Sequence, residues 1–295
     1  MQFGRKVTIY LADASPSGIR HVEIANWSGQ AIACPRSRLV ELKDWHEAQR
    51  PGVYFLFEKQ TAEVGDKVYV GESENVVKRL TQQDKDQEFW NEVIIFTSKD
   101  ENLTKAHVKY LESRITVLAK TADRYKIENG NTPTESLLPR SDKDAMEEFI
   151  HNLKIVLGTL GHKVLEPIKI QTQPPYANTP TLSQYTFSFT VKGLSAKGQQ
   201  TDDGFVLFKD SQVSDLFNPS MPGKLAQLKE NLAKDGTLTK SENHYRLTKD
   251  LLLSSSSYAA ALVAGTARSG PQSWLNDKGE SLKMIEELLL KSAEN

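Results

Sequence analysis

Between Glu166-Pro167 and Pro180 the chain passes through Pro174-Pro175 in a stretch rich in proline, threonine and glutamine. Proline fixes its own φ, donates no backbone hydrogen bond and restricts the residue before it, so such a run reads as a linker rather than a helix or strand. It splits the 295 residues into two parts, each large enough to bury its own core. The expected organisation is an N-terminal β-rich extension at 1–50, a domain at 51–168, a linker at 169–181 and a second domain at 182–295. No internal repeat is visible.

An apolar fraction of 38% beside a charged fraction of 25% describes a globular chain rather than a disordered one. No apolar run reaches the length that spans a bilayer, and the N-terminus lacks the apolar core and cleavage site of a signal peptide. The single cysteine, Cys34, excludes an intramolecular disulfide framework and fits a reducing cytoplasm, which is the expected location. Cys34 reads as a small buried hydrophobe. A net charge of −1 provides no bulk basic field for tight non-specific binding to duplex DNA. Between Lys99 and Lys126 seven basic residues face four acids. That strip reads either as a phosphate-facing surface or as a solvated helix face.

The segments 7–11 and 22–24 alternate and flank an Asp/Ser/Pro/Gly loop, which predicts a β-hairpin. Ala31 to Cys34 predicts a strand, and Leu39 to His46 a short helix. Pro51 to Phe57 and Lys67 to Gly71 are rich in aromatic and β-branched residues and are separated by a polar stretch with Gly65 and Asp66, so they read as paired strands. Ser73 is the expected N-cap of a helix carrying Val76, Val77 and Leu80. Val93 to Phe96 predicts a buried strand. Ser98-Lys99-Asp100-Glu101 has capping-box spacing and is expected to open a helix with Leu103, His107, Leu111, Leu118 and Ala122 on its apolar stripe. Met146 through Leu160 recur at three- and four-residue steps in a helix from Ser141 that Gly161 ends. In the second part, strands are expected at 185–189 and 205–208, flanking a glycine-bearing segment from Gly193 to Gly204. Helices are expected from Pro222, across Ala259 to Val263, and from Ser281.

Gly52-Val53-Tyr54 and Tyr69-Val70-Gly71, on those two neighbouring strands, resemble the signature of the GIY-YIG nucleases, with Val in place of Ile in both halves. The strand-strand-helix-strand-helix order that follows is similar to that domain from about Pro51 to Asn131. The resemblance implies an α+β fold: a small antiparallel sheet flanked by helices, here with an N-terminal β extension and a second α+β domain. It implies metal-dependent hydrolysis of DNA phosphodiesters with Mg²⁺ or Mn²⁺, leaving 5′-phosphate and 3′-hydroxyl ends. Arg79 falls where the family places an arginine on the scissile phosphate, a task suited to guanidinium geometry. Glu112 falls where the family has its one metal-ligating glutamate, about 100° from Leu111 at the border of the apolar stripe. Tyr54 and Tyr69 match the pair that positions or activates water and contacts the phosphate. Gly71 and either Asn129 or Asn131 match substrate-positioning places. Gln83 stands where some restriction-enzyme members carry histidine, which argues against a histidine-assisted mechanism. His107 reads as a partly buried helix residue.

Segments 26–29, 35–38 and 99–107 are similar to an uncharacterised bacterial subgroup of that family. Leu251 to Trp274, with its serine run before Tyr258 and its Gly270 to Trp274 spacing, is similar to a small domain of unknown function of the DUF4357 type. It implies a substrate- or partner-recognition module, or a dimer contact. No phosphate-binding loop, zinc-spaced Cys/His set or nucleophile elbow is present. A non-catalytic binding module that keeps the fold is the rival reading.

Overall fold

The structure is a computed structural model that describes residues 4–58, 67–83, 88–131, 133–134, 136–168, 181–216 and 223–293. The chain divides into two compact units, one within residues 1–167 and the other within 168–295. Most of the expected linker, residues 169–180, lies outside the described residues. Both units combine helices with sheets, as expected of an α+β chain.

In the first unit the strands are β1 (Val7–Leu11), β2 (Arg20–Ile24), β3 (Gly29–Pro35), β4 (Gly52–Phe57), β5 (Lys67–Ser73), β6 (Glu92–Ser98) and β7 (Lys126–Ile127). They form one sheet in the order β1-β2-β3-β6-β4-β5-β7, antiparallel except where the two residues of β7 run parallel to β5. Residues 1–50 are therefore not a preface to a separate domain. Strand β3 pairs with β6 along its whole length, from Gly29 opposite Ser98 to Pro35 opposite Glu92.

The apolar runs in β4 and β6 are nearly continuous because both faces of the sheet are covered there. On one face Val53, Phe55, Phe57, Val68 and Val70 meet helices α2 (Lys105–Ala122) and α3 (Arg140–Thr159). On the other, Tyr54, Leu56 and Ile95 meet Val76, Val77 and Leu80 of helix α1 (Val76–Gln83), together with Trp90. Cys34 is buried in this second cluster, and burial pushes its thiol up to about 12, so it is an inert core residue. Gly161, with φ of 94°, ends α3 as expected, and His162 N–H closes the turn onto the Leu157 carbonyl at 2.8 Å.

Two local expectations need correction. Ser98 opens no helix: it is the buried last residue of β6, held opposite Gly29 by the ladder. Helix α2 instead starts after Thr104, whose Oγ1 accepts from His107 N while His107 Nδ1 accepts from Thr104 N. Ser73 belongs to β5, and Asn75 caps α1, its Oδ1 accepting from Lys78 N at 3.0 Å. The short helix expected near Leu39 to His46 is present as two 3₁₀ helices, Arg36–Asp44 and His46–Gln49.

The second unit contains β8 (Thr186–Val191), β9 (Leu194–Thr201), β10 (Gly204–Leu207), β11 (Gln212–Ser214), α4 (Gly223–Lys234), β12 (Leu238–Ser241), β13 (His244–Leu247), β14 (Leu251–Leu253), α5 (Ser256–Ala264), α6 (Gly270–Ser273) and α7 (Leu282–Ala293). The glycine-bearing segment expected to connect two strands is itself strand β9. It sits between β10 and β8 in a four-stranded antiparallel sheet of order β14-β10-β9-β8. Strands β11, β13 and β12 make a second small sheet.

The serine run and the Gly270 to Trp274 segment fold onto each other. Ser255 caps α5, Ser257 Oγ accepts from Gly270 N at 3.0 Å, and Trp274 Nε1 donates to the Ser256 carbonyl at 2.8 Å. Trp274 is fully buried against Phe205 and Phe189, with ring centroids 4.5 and 5.5 Å away. A Cβ on Gly270 would stand 2.1 Å from the backbone of Ser256. We therefore expect Gly270→Ala to cost about 2 kcal/mol through overpacking. Hydrogen exchange should show it as lost protection in residues 256–286 with residues 52–122 unchanged.

Candidate functional site

Strand β4 places Tyr54 directly opposite Gly71 of β5, and Leu56 opposite Tyr69. Tyr54 and Tyr69 are therefore diagonal neighbours on one face, with ring centroids 6.3 Å apart. The two motif glycines are steric requirements. A Cβ on Gly71 would lie 2.4 Å from Cζ and 2.5 Å from Oη of Tyr54, and one on Gly52 would lie 2.2 Å from the Phe96 carbonyl oxygen. The hydroxyl of Tyr54 is buried and makes no hydrogen bond of ordinary geometry among the described residues. Burial, and then the neighbouring Tyr69, hold its pKa above the usual phenol range, with Arg79 pulling the other way.

Arg79 lies one turn into α1, its N–H bonded to the Asn75 carbonyl at 3.1 Å. Its guanidinium acts on both phenols, and they raise its own pKa, Tyr54 most strongly. Glu112 comes from α2, which lies against β5 on the opposite face of the sheet from α1. Burial, reinforced by Glu72, pushes the Glu112 carboxyl up from 4.5 to about 7, against the pull of Arg79 and Lys109.

These groups converge because β5 has an open edge. Strand β7 covers only Lys67 and Val68, and beyond it the edge is free for side chains from both faces to wrap around. The result is a cleft of about 350 Å³ lined by Tyr69, Glu72, Ser73, Glu74, Arg79, Lys105 and Glu112. Tyr54 lies beneath it, against Gly71 and Tyr69.

Asn129 continues the pairing that β7 begins. Its Oδ1 accepts from Val70 N at 3.0 Å and its Nδ2 donates to the Val70 carbonyl at 2.7 Å. The side chain thus mimics a strand and fixes the segment between Tyr69 and Gly71. Asn131 is exposed and makes no such bond. Of the two asparagines the sequence left open, Asn129 is the one tied to the tyrosine strand.

Glu72 carries no expectation from sequence, and Lys105 belongs to the basic strip between Lys99 and Lys126. Strict strand alternation puts Glu72 on the face away from Tyr69, and only the open edge lets both reach one cleft. Glu74 and Lys105 pair at the rim with Nζ to Oε2 of 2.9 Å. The basic strip from Lys99 to Lys126 is largely engaged internally: Lys99 with Glu23, Lys105 with Glu74, Arg114 with Glu147 and Lys126 with Glu128. His107 serves as a helix-capping partner, as above. Gln83 is the last residue of α1.

Among the described residues, no group of three or more His, Cys, Asp or Glu is arranged to hold a metal ion. A cation in this cleft would take one or two carboxylates and complete its shell with water or phosphate oxygens. That is the habit of Mg²⁺.

In the second unit a pocket of about 300 Å³ is lined by Lys229, Glu230, Ala233, Lys234 and Tyr245. The buried Lys229 ammonium is already bonded to the Ser214 carbonyl and lies 5.3 Å from the Tyr245 ring centroid, which gives it a structural task.

The raised pKa of Glu112 has a consequence for stability. The folded state holds its proton more tightly than the unfolded chain, so this contribution is fully present below about 4.5 and is lost as pH rises through about 7. Glu112→Gln should leave stability unchanged at pH 4.5. At pH 8 it should raise stability by roughly 2 kcal/mol, once solvent screening of a half-buried group is allowed for. Denaturant titrations of both proteins at the two pH values check this.

Residues 187–286 match the family model described as "Domain of unknown function (DUF4357)". No curated protein and no solved structure matches the chain. The matched span runs from the first residues of β8 into α7 and so covers most of the second unit, well beyond the Leu251 to Trp274 segment in which the likeness was legible. The second unit carries a DUF4357 domain.

Proposed function

We propose that the first unit is a divalent-metal-dependent endonuclease of the GIY-YIG type, which hydrolyses DNA phosphodiester bonds. One observation carries the reading: of four residues singled out together from sequence, Tyr69, Arg79 and Glu112 line one cleft and Tyr54 packs against Tyr69 beneath it, although they come from two strands and two helices on opposite faces of the sheet. The DUF4357 unit would then serve recognition, of DNA or of a second protein chain.

The residues present fit Mg²⁺ or Mn²⁺, since the cleft offers hard carboxylate oxygens and room for water. Such an ion supplies Lewis-acid stabilisation of the phosphate and a competent nucleophile at neutral pH. Arg79 is placed to bind the non-bridging oxygens as their charge grows. Tyr69 lines the cleft and can orient the attacking water by hydrogen bonding. Tyr54 does not act as a base, because burial keeps its phenol protonated, so its part is to donate from beneath the site. Glu112 supplies an oxygen ligand. Asn129 holds β5 so that Tyr69 and Gly71 keep their places.

The rival reading is a module that keeps the fold without cutting, and Gln83 in place of a family histidine favours it. The discriminating experiment incubates labelled single-stranded, duplex and branched DNA with Mg²⁺ or Mn²⁺. Wild type should cut at least one substrate, and Glu112→Ala and Arg79→Ala should each lower the rate about 10²- to 10³-fold. Binding without cleavage of any substrate would leave the non-catalytic module. Cleavage that survives both substitutions would show that the cleft is not the active site.

A further inference from the structure

The GIY-YIG pattern provides for one glutamate, and Glu112 takes that place. Glu72 corresponds to nothing in it. It follows Gly71 on β5 and lines the same cleft as Tyr69, Arg79 and Glu112. Lys105, at the rim of the cleft, is committed to Glu74 at 2.9 Å. No ion pair within 4.0 Å reaches Glu72 among the described residues. Two carboxylates sharing a partly desolvated cleft oppose one another, and an arrangement of that kind persists when a ligand compensates it. A second observation points the same way. The Tyr54 hydroxyl is fully buried beside Gly71 and the guanidinium of Arg79, and among the described residues it makes no hydrogen bond of ordinary geometry, so it has capacity left for something bound above it. Hard oxygens, paired negative charge and a hydroxyl with capacity left together suit a hydrated divalent cation.

We propose that Glu72 is a second carboxylate ligand, which holds the divalent cation jointly with Glu112, and that the cleft must load this cation before it admits a phosphodiester. The inference rests on the nuclease reading above. Its ordering follows from charge: the empty cleft, with three carboxylates and two cations, repels a polyanion, and two positive charges reverse the balance.

The test is Mn²⁺ titration of the full chain without DNA, followed by the electron paramagnetic resonance of free Mn²⁺. Wild type, Glu72→Gln and Glu112→Gln are compared, and thermal melts confirm that each is folded. Fluorescence anisotropy then measures binding of labelled duplex with Ca²⁺ or with EDTA. Wild type should bind one Mn²⁺, and each variant should bind it at least tenfold more weakly. DNA binding should require the cation in wild type. Glu72→Asp, which keeps the charge on a shorter arm, should fall between wild type and Glu72→Gln, and it carries the test if Glu72→Gln does not fold. Loss of Mn²⁺ in Glu112→Gln with full affinity in Glu72→Gln would overturn this proposal and leave the nuclease reading standing. Unchanged Mn²⁺ affinity with tighter metal-free DNA binding in Glu72→Gln would also overturn it, since Glu72 would then only repel DNA. Absence of Mn²⁺ binding in DNA-free wild type would overturn this proposal, and metal-dependent cleavage would then still decide the nuclease reading.

Discussion

Tyr54 lies flat against Gly71 with no room for a methyl group between them, and the first unit is arranged around that contact. The contact requires β4 and β5 to pair in one register, since a slip of a single residue would set Val70 or Glu72 opposite the ring. With the register set, Tyr69 falls diagonally beside Tyr54, and α1, which follows β5 directly, brings Arg79 over both phenols. Gly52 makes the same demand on the other side of β4, where Phe96 of β6 passes too close for a side chain. The two glycines are needed by the backbone, and the two tyrosines sit where they do because the glycines leave room for them.

The cleft also depends on where the sheet stops. A full-length seventh strand would cover the edge of β5 and separate Arg79 from Glu112 by a layer of backbone. Strand β7 instead pairs for two residues, and then one amide side chain, Asn129, takes over the hydrogen bonding at Val70. The edge is thereby satisfied without being covered. An uncovered edge is a hazard for aggregation, and this one is blunted by charge: Glu72, Glu74 and Lys105 line it. The same charges give the cleft its character. Burial and Glu72 together hold Glu112 near the middle of the physiological range, so the free protein keeps there a carboxyl that is costly to ionise. Sites retained at a cost to stability are commonly sites with a function.

What the sequence disclosed and what it hid follow one physical line. Strands β4 and β6 were legible because residues buried on both faces leave a continuous apolar run. Tyr54, Tyr69, Arg79 and Glu112 were legible as a pattern of residue types in order, which needs no knowledge of the sheet. Glu72 was not, because period-two alternation assigns it to the wrong face and only the local end of β7 brings it into the cleft. The choice between Asn129 and Asn131 depended on a pair of backbone hydrogen bonds that no local pattern specifies. The capping serines at positions 73 and 98 had the right chemistry in the wrong setting. Strand pairing claimed both, and Asn75 and Thr104 took the caps. Residues 1–50 read as a separate extension because strands adjacent in sequence usually neighbour in space, whereas here β3 joins β6 across the whole of β4 and β5 in sequence.

The second unit teaches the opposite lesson about motifs. Its most recognisable residues, the serines before Tyr258 and the Gly270 to Trp274 segment, are bonded to one another inside the core: Ser257 to Gly270, Ser256 to Trp274. They make the turn from α5 to α6 and seat Trp274 between Phe189 and Phe205. Groups so engaged have nothing left to offer a ligand, so the feature that identifies the domain is a feature of its packing. Lys229 is in the same position, buried and bonded to the Ser214 carbonyl. If the DUF4357 unit recognises DNA or another protein, it does so with its exposed side chains. Family likeness constrains those least, because substitutions there seldom disturb the fold. A shared core signature can thus accompany different partners from one relative to the next, and the task of this unit has to be read from its surface rather than from the residues that name it.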